Sequence, residues 1–172
     1  MNTHKAIRAA LTAVLSLAPL MHLCGAENAA AFLKSVEGYR SKAYRDTGGT
    51  KTIGYGFTSA AMLGKGQLTR SESSAELVRQ CRIIKRQLHR ELGSRITLTA
   101  SEETALVSFI YNVGFDTFRR SSMCRLLKSG KRGAVVGDEF LKWVYVTKGG
   151  RKRVCKGLMR RRMRERRLFV MG

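Results

Sequence analysis

Apolar residues recur at three- and four-residue intervals along much of the chain, the spacing of helices with one buried face. The first such stretch covers residues 28–38, where Phe32, Leu33 and Val36 share a side. Asn28 can cap its start and Gly38 can end it. A longer stretch starts at Thr69, which with Glu72 has capping-box spacing, and carries a stripe of Leu77, Cys81, Ile84 and Leu88 up to Gly93. Thr99 and Glu102 repeat that start before the most apolar stretch, in which Leu106, Phe109, Ile110 and Val113 make a core face and predict a central helix. Further helical stretches are expected around residues 121–127 and 134–144, and again in the basic end, with Val154, Leu158 and Leu168 on the core side. Between the first two helices the period changes. Ile53, Tyr55 and Phe57 alternate with Thr52, Gly54 and Gly56 after a turn-forming run at residues 46–50, which predicts a β-hairpin with one apolar face. The pattern as a whole predicts an α+β chain, mostly helical, with one small sheet near the N-terminus.

Residues 1–26 follow neither period. Lys5 and Arg8 precede an apolar run at residues 9–26 that contains no Lys, Arg, Asp or Glu, and Gly25-Ala26 supplies small residues before Glu27, the first acid. This is the layout of a secretory signal. Pro19 and His22 weaken it as a stable membrane-spanning helix. Two fates are open: cleavage after Ala26, or retention as a weak anchor. Residues 27–172 then form one catalytic-size domain, exported to the periplasm or cell wall.

Charge narrows the partners. With 33 Lys and Arg against 12 Asp and Glu, the net charge is +21. That balance favours a polyanion: nucleic acid, an anionic membrane surface or an acidic cell-wall polymer. No aromatic platform or nucleic-acid motif accompanies the basic run, so nucleic acid ranks last. Cys24, Cys81, Cys124 and Cys155 form no C-x-x-C pair, and His4, His22 and His89 form no cluster, so neither a metal nor a cofactor is expected. Cys81, Cys124 and Cys155 are expected to be small buried hydrophobes.

The candidate chemistry lies in "EGYRSKAYRDTGGTKTIGYG", residues 37–56. Glu37 stands at the expected C-terminal end of the first helix, where the backbone carbonyls carry partial negative charge. Such a field favours a carboxyl that keeps its proton, as a general acid must. Asp46 stands at the mouth of the hairpin turn and Thr52 on the returning strand, a carboxylate and a hydroxyl able to hold and deprotonate a water. A proton donor facing a carboxylate is the pairing that cleaves glycosidic bonds.

The order Glu37, Asp46, Thr52, within this glycine-rich context, resembles the catalytic triad of phage-type lysozymes, the endolysin and muramidase family. "LVSFIYNVGFDTFRRSSMCRLL" resembles that family's central helix and the one after it, and "FLKWVYVTKGGRKRVCKGLMRRRMRERRLF" its C-terminal Trp, Gly-Leu and paired-Arg signature. The resemblance runs in order over residues 28–170. It implies a two-lobed lysozyme-like fold and hydrolysis of the β-1,4 bond between N-acetylmuramic acid and N-acetylglucosamine in peptidoglycan. It gives Glu37 the role of acid, and Asp46 and Thr52 the positioning of water with inversion; a retaining route, with Asp46 as nucleophile, stays open. The resemblance to lysis enzymes also favours residues 1–26 as a signal-anchor that associates transiently with the membrane and is then released, and a monomer. Some exported relatives place a Cys where this chain has Asp46, under the control of a Cys in the membrane segment; Cys24 has no such partner in Asp46. Tyr55, Phe57 and Trp143 are expected to pack in the core, and for Asn112 and Gly114 two readings are open, lining the cleft or ending a helix. The alternative functions are a cationic membrane-disrupting protein and a glycan-binding protein without catalysis.

Overall fold

The computed structural model describes residues 25–46 and 49–172. Most of the expected export segment, Cys24 included, lies outside the described residues, as do Thr47 and Gly48 of the hairpin turn. Helix α1 covers residues 25–36, so Asn28 sits exposed inside it and does not cap it. Its buried face is made by Ala26, Ala29, Ala30 and Leu33. The alanines let α1 approach closely, which leaves Phe32 and Val36 at the edge of the contact, half-buried.

Strands β1 (Arg40–Arg45) and β2 (Lys51–Gly54) pair antiparallel, with Tyr44 opposite Thr52 and Arg45 opposite Lys51. The expected strand through Phe57 stops at Gly54. Gly54 and Gly56 take φ of 67° and 97°, the left-handed region that glycine enters without a steric cost. The chain therefore reverses, and Ile53 and Phe57 exchange backbone hydrogen bonds of 3.0 and 2.8 Å. Ile53, Tyr55 and Phe57 are all buried, as the alternation required.

A short α2 (Ala60–Leu63) leads to α3 (Arg70–Leu92) and α4 (Ala100–Val113), and both longer helices start with the expected capping boxes, at Thr69–Glu72 and Thr99–Glu102. Helix α4 is central: Ala105 to Ile110 is buried without a break, and the helix packs against α3 and the C-terminal helix. Helices α5 (Phe115–Arg119), α6 (Ser122–Lys128) and α7 (Ala134–Phe140) follow. Helix α7 stops short of Val144, and a second hairpin replaces the expected helical continuation. It consists of β3 (Tyr145–Lys148) and β4 (Arg151–Val154), joined through Gly149 and Gly150, both at positive φ. Its strands carry no buried face, so hydrophobic periodicity gave no sign of it. Val154 is exposed there and does not face the core. The last helix, α8 (Lys156–Met171), anchors through Phe169, with Leu158 and Leu168 half-buried.

Among the described residues the fold is thus mostly helical with two small antiparallel sheets, one more than expected. Cys81 and Cys124 are buried as free thiols, whereas Cys155, at the start of α8, is only half-buried. Among the described residues no helix is long and apolar enough to cross a membrane.

Candidate active site

Glu37 follows the last turn of α1, and its amide donates to the Leu33 carbonyl at 2.7 Å. The helix ends there because Gly38 follows and the chain turns into β1. The Glu37 side chain keeps 24% of its surface open and accepts a hydrogen bond from Arg161 Nη1 of α8. The acid is thus partly buried, yet accessible from solvent on one side.

Behind this contact lies a polar network inside the helical core. Arg161 Nε donates to Glu165 Oε1 at 2.9 Å, and its Nη2 donates to the Ser108 carbonyl at 2.9 Å. Ser108 Oγ donates to Glu165 Oε1 at 2.6 Å. Arg162 Nη1 donates to Glu165 Oε2 at 2.5 Å, Arg162 Nε donates to the Trp143 carbonyl, and Arg162 Nη2 donates to Asn112. Glu165 is completely buried, and two guanidiniums and a hydroxyl donate to it, which offsets the cost of taking a carboxylate out of water. The two arginines respond differently to the same burial. Burial pulls the Arg161 guanidinium down, but the carboxylates of Glu37 and Glu165 outweigh it and hold Arg161 above its usual range. For Arg162 burial wins over the carboxylate of Glu165 and the weaker pull of Glu37, with the Arg161 charge adding to the downward shift.

A second tether meets Glu37 from α4. Tyr111 Oη donates to the Tyr55 carbonyl at 2.8 Å and so fixes the glycine turn after β2. A Cβ on Gly56 would lie 3.9 Å from Glu37 Oε2 and 3.8 Å from Tyr111 Oη, so the turn runs directly beside the acid. Burial pushes the Tyr111 hydroxyl far above its usual range, and the nearby Glu37 carboxylate adds to that.

Asp46 and Thr52 meet around Thr50. The Asp46 amide donates to the Thr50 carbonyl at 2.9 Å, and the Thr50 amide donates to Asp46 Oδ1 at 2.8 Å. Thr52 Oγ1 donates to the same Thr50 carbonyl at 3.0 Å. The ladder puts Thr52 opposite Tyr44 and Lys51 opposite Arg45, and the Asp46–Thr50 backbone hydrogen bond carries the register one residue further, so the two-residue strand period sets Asp46 and Thr52 on one face as diagonal neighbours. Thr52 is buried and Asp46 exposed. The hairpin thus presents an acceptor at its mouth and a hydroxyl just inside it. The side-chain hydrogen bond described for Glu37 runs instead to α8.

Tyr55 and Phe57 pack in the core as expected, with the Tyr39 and Tyr55 rings 5.4 Å apart. Trp143 packs edge-on against Phe109 at 5.5 Å and also lines a groove of about 480 Å³ with Asn112, Tyr145 and Arg162. Asn112 therefore does more than end a helix. The arginines of the basic end are expected from the sequence to face water, or, as the family resemblance implies for Arg160, Arg161 and Arg162, to be structural; Arg161 and Arg162 turn inward with Glu165, which sequence reading does not single out. One signal was present: Glu165 is the only acid in the basic run from Lys148 to Met171, and it lies three and four residues after two arginines. Among the described residues no group of His, Cys, Asp and Glu is arranged to hold a metal.

The family model described as phage lysozyme matches residues 34–165. A SAR-endolysin of Bacteriophage PS119 is 33% identical over 138 residues, covering 80% of this chain and 78% of that protein. An endolysin of Acyrthosiphon pisum secondary endosymbiont phage 1 is 29% identical over 149 residues, covering 87% of this chain and 98% of its own length. Among solved structures, the muramidase domain of SpmX from Asticaccaulis excentricus superposes with a TM-score of 0.73 at 30% identity, covering 84% of this chain and 95% of that one. Glu37, Asp46, Thr52, Arg161 and Glu165 all lie within the matched span, and this chain belongs to the phage lysozyme family.

Proposed function

We propose that Glu37, Asp46 and Thr52 carry out peptidoglycan hydrolysis in this lysozyme, cutting the β-1,4 bond between N-acetylmuramic acid and N-acetylglucosamine. The observation that carries the reading is the position of Glu37: open to solvent on one side, held by Arg161 on the other, and beside the glycine turn. Glu37 gives its proton to the glycosidic oxygen as the bond from that oxygen to the anomeric carbon breaks. A water held by Asp46 and Thr52 attacks the anomeric carbon from the opposite face, and Asp46 takes the proton the water loses. Inversion at that carbon follows.

Residues 27–172 supply this catalytic domain, acting at the cell wall. Residues 1–26 supply export and a transient hold on the inner membrane; the positive start, the apolar run and the names of the SAR-endolysin relatives support that part. Sequencing the N-terminus of the active soluble form tests it. Met1 first supports release of an anchor, whereas Glu27 first means cleavage and overturns the tether.

The catalytic reading is tested by mass spectrometry of peptidoglycan digested with the parent protein and with Glu37→Gln. Fragments ending in a reducing muramic acid are expected from the parent, and a loss of on the order of a hundredfold in rate from a folded Glu37→Gln. Near-parental turnover by that variant would remove Glu37 from the mechanism. Anhydromuramic ends would mean a transglycosylase; retention of the anomer, read by NMR of fresh product before it mutarotates, would make Asp46 the nucleophile.

A further inference from the structure

Helix α8 has two faces with different work. Arg161, Arg162 and Glu165 turn inward to the network behind Glu37. The opposite side is exposed, and at 100° per residue Lys156, Met159, Arg160, Met163 and Arg167 fall within one arc of it. Exposed methionines on a soluble helix are uncommon, and this face has three: Met159, Met163 and Met171 are 40%, 57% and 75% exposed. They stand among guanidiniums. The only acid of the helix, Glu165, is buried, so no acidic side chain of α8 lies on the outer face. Lys156, Arg160 and Arg167 have no acidic partner among the described residues. The strand leading into α8 adds Arg151, Lys152 and Arg153, also exposed.

A groove of about 400 Å³ opens on the same helix, where it meets α1. Its floor is apolar, made by Phe32, Leu168 and Met171, and Arg164 and Arg167 stand on its rim. The Arg164 guanidinium lies over the Phe32 ring at 5.2 Å and donates to Ser35, so that side of the rim is fixed. Cations above an apolar floor suit a ligand with a phosphate above hydrocarbon.

We propose that the outer face of α8 docks on the surface of an anionic phospholipid bilayer. Lipid phosphates take the arginines and lysines, the flexible methionines enter the headgroup boundary, and the groove beside Arg164 and Arg167 receives a lipid headgroup with the first part of its chain. Duplex nucleic acid supplies the phosphates but keeps its bases stacked away from the methionines and the apolar floor. Arg161 faces away from the docked surface, so Glu37 keeps its setting while the enzyme rests on the membrane. The contact is separate from residues 1–26 and would persist after they leave the bilayer.

The test is flotation of the full chain with vesicles of phosphatidylcholine alone or with phosphatidylglycerol added. Binding through residues 1–26 shows on both, so the readout is the gain from the anionic lipid. The parent should gain at least about tenfold, and Arg160→Glu with Arg167→Glu should remove most of that gain, as expected when two cations at a charged surface are reversed. Met163→Gln should lower binding to anionic vesicles without changing the salt dependence. Activity on soluble peptidoglycan fragments should stay at the parental level in all variants. If the reversed pair fails to fold, Arg160→Gln with Arg167→Gln is read in its place. A parent with no gain, a folded variant that keeps the whole gain, or tighter binding to duplex DNA that is lost in the same variants would each overturn the proposal.

Discussion

At the scale of single residues, Thr52 separates two roles that its position combines. It is buried within the hairpin, and its hydroxyl donates to the Thr50 carbonyl, which the Asp46 amide also uses. Thr52→Ser keeps the hydroxyl, so activity should drop by less than about tenfold, whereas Thr52→Val removes it and should cost more than Thr52→Ser and approach the loss in Asp46→Ala. Equal activities for the Ser and Val variants, at equal melting temperatures, would leave the hydroxyl without a part in holding water. Cys81 makes a different prediction, about pH. Burial pushes its thiol up to about 12 in the folded chain, from an ordinary value of 9.0. Above pH 9 the unfolded thiol loses its proton while the folded one keeps it, so the unfolded state binds fewer protons and stability falls as pH rises. The stabilisation is complete below pH 9 and lost progressively up to about 12. Melting temperatures across that window should fall less steeply in Cys81→Ala than in the parent. Tyr111, also raised by burial, adds to the slope at its upper end in both.

At the scale of elements, α8 carries both the largest electrostatic cost and its compensation. Glu165→Gln leaves Arg162, already pulled down by burial, without a carboxylate, and leaves Arg161 with Glu37 alone. Breaking a buried pair from one side costs about 3–5 kcal/mol, and urea unfolding should show a loss of that size. Replacing Arg162 and Glu165 together by Met should cost less, because no lone buried charge remains. A smaller loss in Glu165→Gln than in the double variant would show that the network does not hold its own charges. The same helix marks the limit of sequence reading. Helices α3 and α4 were legible because their capping boxes and apolar stripes act locally, through neighbours three and four residues apart. The local placement of Glu37, Asp46 and Thr52 was legible because one helix end and one hairpin hold them. The contact of Arg161 with Glu37 joins residues far apart in the chain, and no local period signals which arginine of a basic run turns inward. The β3–β4 hairpin escaped for the opposite reason: it buries nothing, so only Gly149 and Gly150 marked it. The end of β2 at Gly54 depended on two glycines whose backbone freedom outweighed the alternation of apolar residues around them.

At the scale of the whole molecule, a net charge of +21 acts over distances that no single contact spans. Cell walls carry acidic peptide stems and polymers, so the protein should be drawn to them over a distance before any sugar enters the proposed site. The range of that attraction is about 30 Å at 10 mM salt and about 3 Å at 1 M. Activity on whole walls should therefore fall steeply across that range, while activity on short, uncharged glycan fragments should stay nearly level. The charge responsible must be sought on the surface. Arg161 and Arg162 are buried and hold Glu165, so neutralising the run Arg160, Arg161 and Arg162 together would unfold the helical core before it tested attraction. Arg151, Lys152 and Arg153 are the better probes: they are exposed on β4 and hold no acidic partner among the described residues. Replacing all three by Gln lowers the net charge to +18 (21 minus 3) without touching the buried network. The variant should lose activity on walls at low salt, match the parent at high salt, and show a flatter salt profile between them. A stable variant whose wall activity follows the parental curve at every salt concentration would place the attraction elsewhere on the surface. A parental curve as flat as that of the short fragments would remove long-range attraction from the account altogether.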